Sequence, residues 1–511
     1  IFFSINTNMP VVDIDVASLP KQLFINNEFV DAKNGLKYPN VNPATEEIIC
    51  EVSEAGEADV AVAVAAAKAA FEGPWSKVGP YTRSKLLWKL ADLIEENLDF
   101  MATLESLDNG KPFCESSNAD VPLVIQCFRY YAGAADKLTG NTVEVGGPLV
   151  DDTFTAYTLH EPIGVVGQII PWNFPMLMAA WKLGPALAVG CTVVLKLAEQ
   201  TPLTGLYLGK LIKQAGFPPG VVNILSGYGA VTTDGGVGAG LAILRHPDVH
   251  KVAFTGSSKV GRIIMRECAN TFKRLTLELG GKSPNIIFPD ADLAAAVDGA
   301  LVSQFFNQGQ VCCAGSRTFV HEDIYDEFLE KLTIAAKERQ KLGDPLHEQT
   351  TQGPQVSLEQ FNQVMNYIEL GKQEGAKCIF GGCREGTKGY FVQPTAFVNV
   401  KNDMRIWNEE IFGPVMSIAK FSTMDEVLHM ANDTSFGLAS AVWTKDLGTA
   451  QYMQKRLRAG IVWINCYSVF DANLAFGGYK SSGIGRELAE YALENYTEVK
   501  QVCMKSHPSF K

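Results

Sequence analysis

Apolar runs and amphipathic segments alternate through the middle of the chain. The apolar runs are rich in β-branched residues, as buried parallel strands are, and lie at 163–170, 191–196, 221–225 and 251–256. The segments between and after them have the apolar spacing of helices and lie at 181–190, 204–216 and 257–268. This order of strands and helices predicts an α/β fold with a doubly wound parallel sheet.

A second α/β series follows Gly280. The pattern predicts strands at 285–288 and 316–322 and helices at 291–306 and 324–342. A second lobe is therefore predicted, and it begins near the segment LELGG.

The chain before residue 135 is predicted to be mostly helical, because 57–71 and 83–107 have helical periodicity. Two other stretches, 141–160 and 498–505, alternate polar and apolar residues, which is typical of strands with one face in solvent. They fit neither lobe. We expect them to form an extended arm whose strands pair with something, and an intersubunit sheet is one possibility.

The composition is that of a soluble globular protein, with 47% hydrophobic and 20% charged residues, and 511 residues are enough for two or three lobes. Lys and Arg total 44 against 56 for Asp and Glu, a net charge of -12. This balance argues against nucleic acid or an anionic membrane as partner, because both require concentrated positive charge. Pro171 and Pro175 interrupt the apolar run 162–181, so a core strand followed by a loop is predicted there and not a membrane span.

The 11 cysteines are predicted to be free thiols, because they are few for the length, odd in number and unclustered. The seven histidines are scattered and form no HExxH pattern, so no metal site is predicted. Free thiols favour a reducing compartment: the cytoplasm, with the mitochondrial matrix as the alternative. The N-terminus lacks the character of a transit peptide or secretory signal, and Met9 is a candidate initiator preceded by an extension, residues 1–8.

Two segments carry candidate reactive side chains. Cys312 lies in FFNQGQVCCAG, whose small and polar residues suit a loop that presents a nucleophilic thiol; the alternative is that Cys312 and Cys313 are buried apolar fillers. Glu278 ends an apolar strand before two glycines, where a carboxylate is costly unless it is paired or used, as a general base would be. The alternative is an ordinary surface or salt-bridged glutamate.

Three further segments are candidates for oxyanion and nucleotide binding. Asn173 in PWNFP follows the first strand, where open α/β sheets place ligands; its amide can serve an oxyanion or cap a turn. The segment 254–261 starts a helix after a strand, which favours phosphate, but its GxxxxG spacing is a weak dinucleotide signature. Lys196 and Glu199 end another strand, where a carboxylate binds ribose hydroxyls and favours NAD over NADP; the alternative for each is a solvated charge.

Seven segments together resemble the aldehyde dehydrogenase superfamily, most closely its NAD-dependent, tetrameric class 1 and 2 members. These segments are IIPWNFP, KLGPALAVGCTVVLKLAEQTPL, KVAFTGSSKVG, LELGGKSPNII, FFNQGQVCCAGSRTFV, EEIFGPV and FGGYKSSGIGREL. The resemblance runs over nearly the whole chain, from LFINNEFVDAKNG to YTEVKQV. It implies a doubly wound parallel-sheet NAD-binding domain at 20–140 and 162–279, an α/β catalytic domain at 280–483, and a small β-arm oligomerisation domain at 141–161 and 484–511.

Carried over by position, the resemblance implies that Cys312 is the nucleophile, Glu278 the general base and Asn173 the oxyanion donor. The implied cofactor is NAD, held by Lys196, Glu199, Ile170, Trp172, Gly256, Ser257, Gly261, Glu410 and Phe412. The implied reaction is attack of Cys312 on an aldehyde to form a thiohemiacetal, hydride transfer to NAD, and hydrolysis of the resulting thioester by water that Glu278 activates. The presence of Glu278 disfavours acylation of coenzyme A.

The substrate is predicted to be an uncharged aliphatic or aromatic aldehyde in an aromatic tunnel. The predicted tunnel residues are Phe174, Leu177, Met178, Trp181, Phe470 and Phe476, with Leu123 at the mouth. Each of them alone is more typical of core packing.

Because no charged partner is expected in the tunnel, a semialdehyde or amino-aldehyde dehydrogenase is the second choice. A structural protein with silent chemistry is the alternative from another class, which the presence of Cys312, Glu278 and Asn173 disfavours. The resemblance implies a homotetramer, a dimer of dimers.

The chain departs from the family pattern at two places near the predicted site. The segment 230–245 is several residues longer than usual and lies beside the nucleotide lobe, so contacts to adenine from this region are not carried over. Val311 stands where many relatives have another cysteine next to the nucleophile.

Overall fold

The computed structural model of the chain describes residues 10–148 and 153–505, so the candidate initiator Met9 lies outside the described residues. Its first sheet has eight strands, in the order Gly483–Ile484, Arg274–Glu278, Lys251–Thr255, Val165–Ile169, Thr192–Lys196, Val222–Leu225, Leu23–Ile25 and Glu28–Val30. The five central strands are parallel and have the doubly wound order that the sequence predicts. The strand order reverses between Val165–Ile169 and Lys251–Thr255, where sheets of this kind bind ligands at the carboxyl ends of the strands.

Helices pack against this sheet and against one another. They are Glu57–Glu72, Pro80–Glu96, Leu98–Asn109, Phe113–Glu115, Val121–Ala134, Pro175–Val189, Leu203–Ala215, Ala239–Arg245, Ser258–Ala269 and Tyr491–Glu494. The helix Pro175–Val189 is buried along its whole length and ends at Gly190, whose φ of 102° is left-handed. The apolar run 162–181 is thus a core strand followed by the first half of a buried helix, which corrects the predicted loop. Within residues 10–148 and 153–505, no helix is long and apolar enough to cross a membrane.

The second sheet has seven strands, in the order Lys377–Phe380, Thr395–Val398, Val415–Phe421, Arg317–His321, Pro284–Ile287, Ala439–Trp443 and Ile461–Ile464. All are parallel except the edge strand Lys377–Phe380. The accompanying helices are Leu293–Phe305, Tyr325–Arg339, Leu358–Gln373, Arg405–Asn408, Met424–Asn432 and Leu447–Arg456. The strands and helices predicted after Gly280 are confirmed.

The two stretches predicted as an arm pair with each other. Thr497–Lys505 runs antiparallel to Phe154–Pro162, and Thr142–Val143 adds a short third strand. The arm strand Thr497–Lys505 coincides with the stretch 498–505 that the alternation predicts, and it follows the helix Tyr491–Glu494, which packs on the buried helix of the first lobe. Residues 149–152 and 506–511, which belong to the predicted arm, lie outside the described residues.

The prediction that the chain before residue 135 is mostly helical is wrong for its first part. Residues 23–53 form four short strands, Leu23–Ile25, Glu28–Val30, Lys37–Val41 and Ile48–Ser53. Two of these strands have three residues, and a third contains Pro39. Such short or interrupted strands do not show the alternation of polar and apolar residues that identifies a strand in a sequence. The periodic segment 83–107 is divided into two helices at Asn97, which lies between Glu96 and Leu98.

The long segment 230–245 begins as a tight hairpin closed by a β-bridge between Val231 and Val237. The buried Glu54 holds it, accepting bonds from the N–H and the hydroxyl of Thr233 at 2.7 and 2.6 Å. The extra residues are therefore folded back onto the N-terminal part of the chain.

Candidate active site

The three candidate catalytic residues line a single cavity of about 250 Å³. Asn173 follows a central strand of the first sheet, Glu278 ends a neighbouring strand, and Cys312 lies in a loop of the second α/β series. The fold thus brings a thiol, a carboxyl and an amide to one cavity at the carboxyl edge of the first sheet, where the reversal of strand order predicts a ligand.

The loop that carries Cys312 begins with a turn of costly backbone conformation. Asn307 and Gln308 have φ values of 47° and 56°, a left-handed region that is unfavourable for residues with a Cβ. Two bonds from a distant segment hold the turn: the Asn307 N–H donates to Glu115 Oε2 at 3.0 Å, and Gln308 Nε2 donates to the Gly110 carbonyl at 3.2 Å. These contacts fix the direction from which Cys312 enters the cavity.

Cys312 is half-buried in the cavity wall, whereas Cys313 is fully buried, so the filler interpretation fits only the second of them. All 11 cysteines are free thiols, as predicted. The neighbouring Cys313 thiol, then burial and the Glu410 carboxyl, raise the pKa of Cys312 well above its ordinary value. The Cys312 thiol is therefore protonated at neutral pH and must lose its proton as it reacts.

The Asn173 amide is buried and fixed in direction. Its Nδ2 donates to the Gln310 carbonyl at 2.9 Å. Its own backbone carbonyl accepts Lys111 Nζ and Asn307 Nδ2, both at 2.9 Å. A side-chain amide has two N–H bonds, so the second one is available for an oxyanion that forms next to Cys312.

The Glu278 carboxyl is buried, and among the described residues neither of its oxygens has a hydrogen-bond partner. Burial first, and then the Glu487 carboxylate and the Cys312 thiol, raise the pKa of Glu278 well above its ordinary value, against the opposing effect of Lys182 and Arg486. A carboxyl in this environment holds its proton at neutral pH and is a strong base once the proton is lost. These surroundings differ from the surface or salt-bridged alternative.

Two buried charged residues beside Glu278 were not found from the sequence. Lys182 Nζ forms an ion pair with Glu487 Oε1 and donates to Thr255 Oγ1 at 2.6 Å. Glu487 itself lines the cavity. Lys182 lies inside an otherwise apolar helix and its partner is 305 positions away along the chain, so no local pattern identifies the pair.

Five of the nine candidate cofactor-binding residues line the same cavity: Trp172, Gly256, Ser257, Glu410 and Phe412. Glu410 Oε1 accepts the Gly281 N–H at 2.9 Å, and burial raises the pKa of this carboxyl to about 7. A Cβ on Gly280 would lie 2.0 Å from Glu410 Oε2, so only glycine leaves room for the carboxyl there. This close approach explains Gly280, whereas a Cβ on Gly281 would lie 2.4 Å from the Cys312 carbonyl oxygen.

Phe412 is held in a left-handed backbone conformation, with a φ of 57°. Gln360 Nε2 donates to its carbonyl at 2.7 Å, and its ring meets the Trp172 ring edge-on at 5.2 Å between centroids. Gln360 also lines the cavity and was not found from the sequence.

Lys196, Glu199, Ile170 and Gly261 lie outside the residues that line this cavity. Lys196 Nζ donates to Glu199 Oε2 at 3.0 Å at the carboxyl end of its strand. Burial acts to raise the pKa of Glu199, but Lys196 and local hydrogen bonds outweigh it and hold the pKa below its ordinary value. Glu199 is thus an ionised acceptor. Ile170 is a core residue whose N–H donates to the Lys196 carbonyl at 3.2 Å.

The helix Ser258–Ala269 starts at the cavity. Ser257 caps it, accepting the Val260 N–H at 3.3 Å, and the other N–H groups of a first helical turn favour an anion. A Cβ on Gly261 would lie 2.8 Å from the Leu279 side chain, so this glycine allows the helix to pack closely on the segment after Glu278.

All the predicted tunnel residues line the cavity: Phe174, Leu177, Met178, Trp181, Phe470, Phe476 and Leu123. Their rings pack on one another, with Trp181 and Phe476 at 5.0 Å between centroids. The expectation that no charged residue faces the substrate is wrong, because Asp120 and Glu487 also line the cavity. Asp120 ends a single turn of π-helix, Ser116–Asp120, a feature that apolar spacing does not reveal.

The chain is similar in sequence and in fold to known aldehyde dehydrogenases. The sequence model of the aldehyde dehydrogenase family matches residues 29–502. The chain is 56% identical to the mitochondrial aldehyde dehydrogenase of Rattus norvegicus over 95% of this chain and 91% of the relative, and 53% identical to an aldehyde dehydrogenase of Alternaria alternata over 95% of each. The NAD+ complex of an aldehyde dehydrogenase from Bacillus cereus is 49% identical, with a TM-score of 0.93 over 97% of this chain and 99% of that one. The chain belongs to the aldehyde dehydrogenase family.

Proposed function

We propose that this chain uses NAD to oxidise an uncharged aliphatic or aromatic aldehyde to the free carboxylic acid. The observation that carries the proposal is the meeting of Cys312, Glu278 and Asn173 in one cavity whose remaining wall is largely aromatic and aliphatic. A nucleophilic thiol, an oxyanion donor and a buried base are the groups that acyl chemistry on a thiol requires. The relative from Bacillus cereus, solved with NAD+, supports the choice of cofactor.

In the first half of the reaction, the Cys312 thiol releases its proton to water, and its sulfur attacks the aldehyde carbonyl to form a thiohemiacetal. The free N–H of the Asn173 amide and the backbone N–H of Cys312 donate to the oxygen that becomes negative. Because hydrogen bonds hold the side chain and the backbone carbonyl of Asn173 before the substrate arrives, its amide stabilises the charge without rearranging. When bound, NAD supplies the acceptor for the hydride that turns the thiohemiacetal into a thioester.

In the second half, Glu278 takes a proton from water as the water attacks the thioester. The buried carboxyl lies in the same cavity as Cys312, and its raised pKa makes it a strong base after deprotonation. The carboxylic acid leaves and the Cys312 thiolate recovers its proton. Hydrolysis therefore depends on the ionised fraction of Glu278, which increases as pH rises through the pKa of this group.

The described residues fit NAD at three places. Glu410 and Phe412 lie in the cavity near Cys312, where they would hold the nicotinamide ribose and ring, and Gly256 and Ser257 would meet the pyrophosphate at the start of a helix. The ionised Glu199, paired with Lys196, would accept the adenosine ribose hydroxyls and repel a 2′-phosphate. This charge favours NAD over NADP.

The assembly is proposed to be a homotetramer, a dimer of dimers. The three-stranded arm supports it, because Thr497–Lys505 is an edge strand with exposed apolar side chains such as Val499 and Met504. The first sheet would serve NAD binding, and the second sheet would carry the loop that contains Cys312.

The similar proteins include a mitochondrial enzyme and a bacterial one, which fits a cytoplasmic or mitochondrial-matrix location.

The direct test is NADH formation by the purified protein with NAD and a panel of aldehydes, from acetaldehyde through longer alkanals and benzaldehyde to retinal. We expect one carboxylic acid for each NADH, with NADP a poorer cofactor. The ranking of chain lengths would measure the depth of the tunnel. Failure to reduce NAD with every aldehyde, by protein that still binds NAD, would contradict the proposal and favour a structural role for this fold.

Glu487→Gln is expected to move the rising limb of the pH profile of thioester hydrolysis toward lower pH. The Glu487 carboxylate raises the pKa of Glu278, so its neutralisation lowers that pKa, and the unpaired Lys182 acts in the same direction. More of Glu278 is then ionised at a given pH below the limb. The measurement is the rate of acid release after the first turnover, at several pH values.

The matched control is Glu494→Gln, which makes the same change at an exposed position of a nearby helix. Its pH profile is expected to coincide with that of the unmodified protein. A Glu487→Gln profile that also coincides would show that Glu487 has no electrostatic influence on hydrolysis.

A further inference from the structure

A fully buried ion pair lies in the wall of the substrate tunnel. Asp120 lines the cavity, and its Oδ2 is paired with Lys111 Nζ. Neither side chain is exposed to solvent beyond 1%. Among the described residues, Lys111 is the only hydrogen-bond donor to this carboxylate. A buried carboxylate with a single partner is costly, and a wall in contact with substrate is an unusual place for it.

Lys111 itself lies directly behind other residues of the site. Its Nζ donates to the Asn173 carbonyl at 2.9 Å and lies 4.1 Å from the centre of the Phe174 ring. Both contacts are to residues that line the cavity, whereas Lys111 does not line it. The positive charge is therefore close to the tunnel but separated from a substrate by the groups that it contacts.

Two other carboxyls face this pair, Glu105 and Glu115. Burial raises the pKa of Glu105 to about 7 and that of Glu115 to about 8, against the effect of Lys111. Glu115 at least is then mostly protonated near pH 7. Lys111 and Asp120 largely cancel each other, so this part of the wall has little net charge.

We propose that the Lys111–Asp120 pair determines the charge selectivity of the tunnel: Lys111 neutralises the Asp120 carboxylate in the tunnel wall, and the tunnel accordingly selects uncharged aldehydes. This inference rests on the proposed function. Without Lys111, Asp120 attracts a cationic aldehyde; without Asp120, Lys111 attracts an anionic one. Inside a water-poor site a single unpaired charge changes the relative kcat/KM of a charged substrate by about tenfold or more.

The experiment compares three aldehydes of similar length: butanal, the permanent cation 4-(trimethylammonio)butanal and the anion 4-oxobutanoate. The unmodified protein is expected to prefer butanal to both ions. Lys111→Met is expected to raise kcat/KM for the cation relative to butanal by about tenfold, and Asp120→Asn to do the same for the anion. Lys111→Met should show its preference more strongly as pH rises, because burial raises the pKa of Asp120, the loss of Lys111 raises it further, and only the ionised carboxylate attracts the cation.

The double variant Lys111→Met/Asp120→Asn is the matched control, because it removes both charges and changes the shape little. In the double variant, the ratio of kcat/KM for the cation to kcat/KM for the anion is expected to return to that of the unmodified protein. A loss of activity without a change in that ratio in either single variant would mean that the pair supports structure only and would overturn the inference.

A single variant with an unpaired buried charge is at risk of not folding, so the unmodified protein provides an independent test. If it oxidises the cation or the anion as efficiently as butanal, the inference is wrong even though the proposed function stands. If it oxidises none of the three aldehydes, nor any other of the panel, the proposed function itself fails. NAD binding and thermal unfolding, measured for every variant, separate folding defects from altered selectivity.

Discussion

Replacing Cys312 with alanine is expected to lower aldehyde oxidation by at least about 1,000-fold, because removal of a nucleophile leaves only binding and oxyanion stabilisation. The variant is expected to fold and to bind NAD as before. Cys312 is half-buried in the cavity wall, so alanine leaves little new cavity, and the turn at Asn307 and Gln308 keeps its own hydrogen bonds. The measurements are steady-state NADH formation and equilibrium binding of NAD.

Cys378→Ala provides the matched control, because Cys378 is a half-buried thiol on the edge strand of the second sheet and does not line the cavity. Its turnover is expected to equal that of the unmodified protein. Substantial turnover by Cys312→Ala would assign the nucleophile to another group. Loss of NAD binding in the same variant would mean that the substitution disturbs the fold of the site, and Cys312→Ser would then repeat the test with a smaller change in shape.

The strands around this site were predictable because they are fully buried. Val165–Ile169 and Thr192–Lys196 have no exposed residue, so apolar and β-branched residues dominate their sequences, which differ visibly from their surroundings. The strands near the N-terminus lack this property. Glu28–Val30 has two exposed residues of three, and Lys37–Val41 is interrupted by Pro39. A short edge strand is fixed by its partners and leaves little trace in its own sequence.

The division at Asn97 was hidden for a related reason. Apolar spacing continues across it, since both helices bury residues on the same lobe, but Asn97 has a φ of -108° and its Nδ2 donates to the Leu93 carbonyl at 2.7 Å. A side chain that bonds to a backbone carbonyl four residues earlier competes with the hydrogen bonds of the helix, and this competition depends on local geometry that the spacing of apolar residues does not report.

In the candidate site, too, the local sequence reveals some residues and not those whose role depends on a distant partner. Cys312, Glu278 and Asn173 each end or follow a recognisable element, so position in the sequence already marks them. Lys111, Lys182 and Asp120 have no such mark, because each acquires its role from a partner in another segment. The absence of an exposed charge pattern near the tunnel aromatics led to the wrong expectation of an uncharged wall. Contact between distant segments is decided by the fold, and one sequence does not contain it explicitly.

Glu278→Gln is expected to stop the reaction after the acyl group has reached Cys312. Glutamine has nearly the same shape as glutamic acid but cannot take a proton from water, so hydrolysis should slow by about 100-fold to 10,000-fold. Formation of the thioester does not use Glu278 as base in the proposed sequence. A burst of NADH of one equivalent per active site is therefore expected, followed by a slow phase, and mass spectrometry should find the acyl group on the peptide that contains Cys312.

Glu278→Gln is also expected to fold at least as stably as the unmodified protein. The Glu278 carboxyl is buried with neither oxygen hydrogen-bonded by a described residue, and its raised pKa means that burial disfavours the ionised form. Burial of this carboxyl thus costs folding free energy that grows as pH rises from the ordinary pKa to the raised one and is fully present above the raised one, and a neutral amide avoids that cost. Glu278→Gln is expected to unfold at a temperature at least as high as the unmodified protein at alkaline pH, so slow hydrolysis would not be a folding defect.

The double variant Cys312→Ala/Glu278→Gln completes the argument, because it can accept no acyl group at position 312. The adduct must be absent from it and present in Glu278→Gln alone if the thiol carries the intermediate and the carboxyl releases it. A Glu278→Gln protein that turns over steadily without a burst or an adduct would move the base to another group. Glu487 would then be the first candidate, since it is the other carboxyl that lines the same cavity near Glu278.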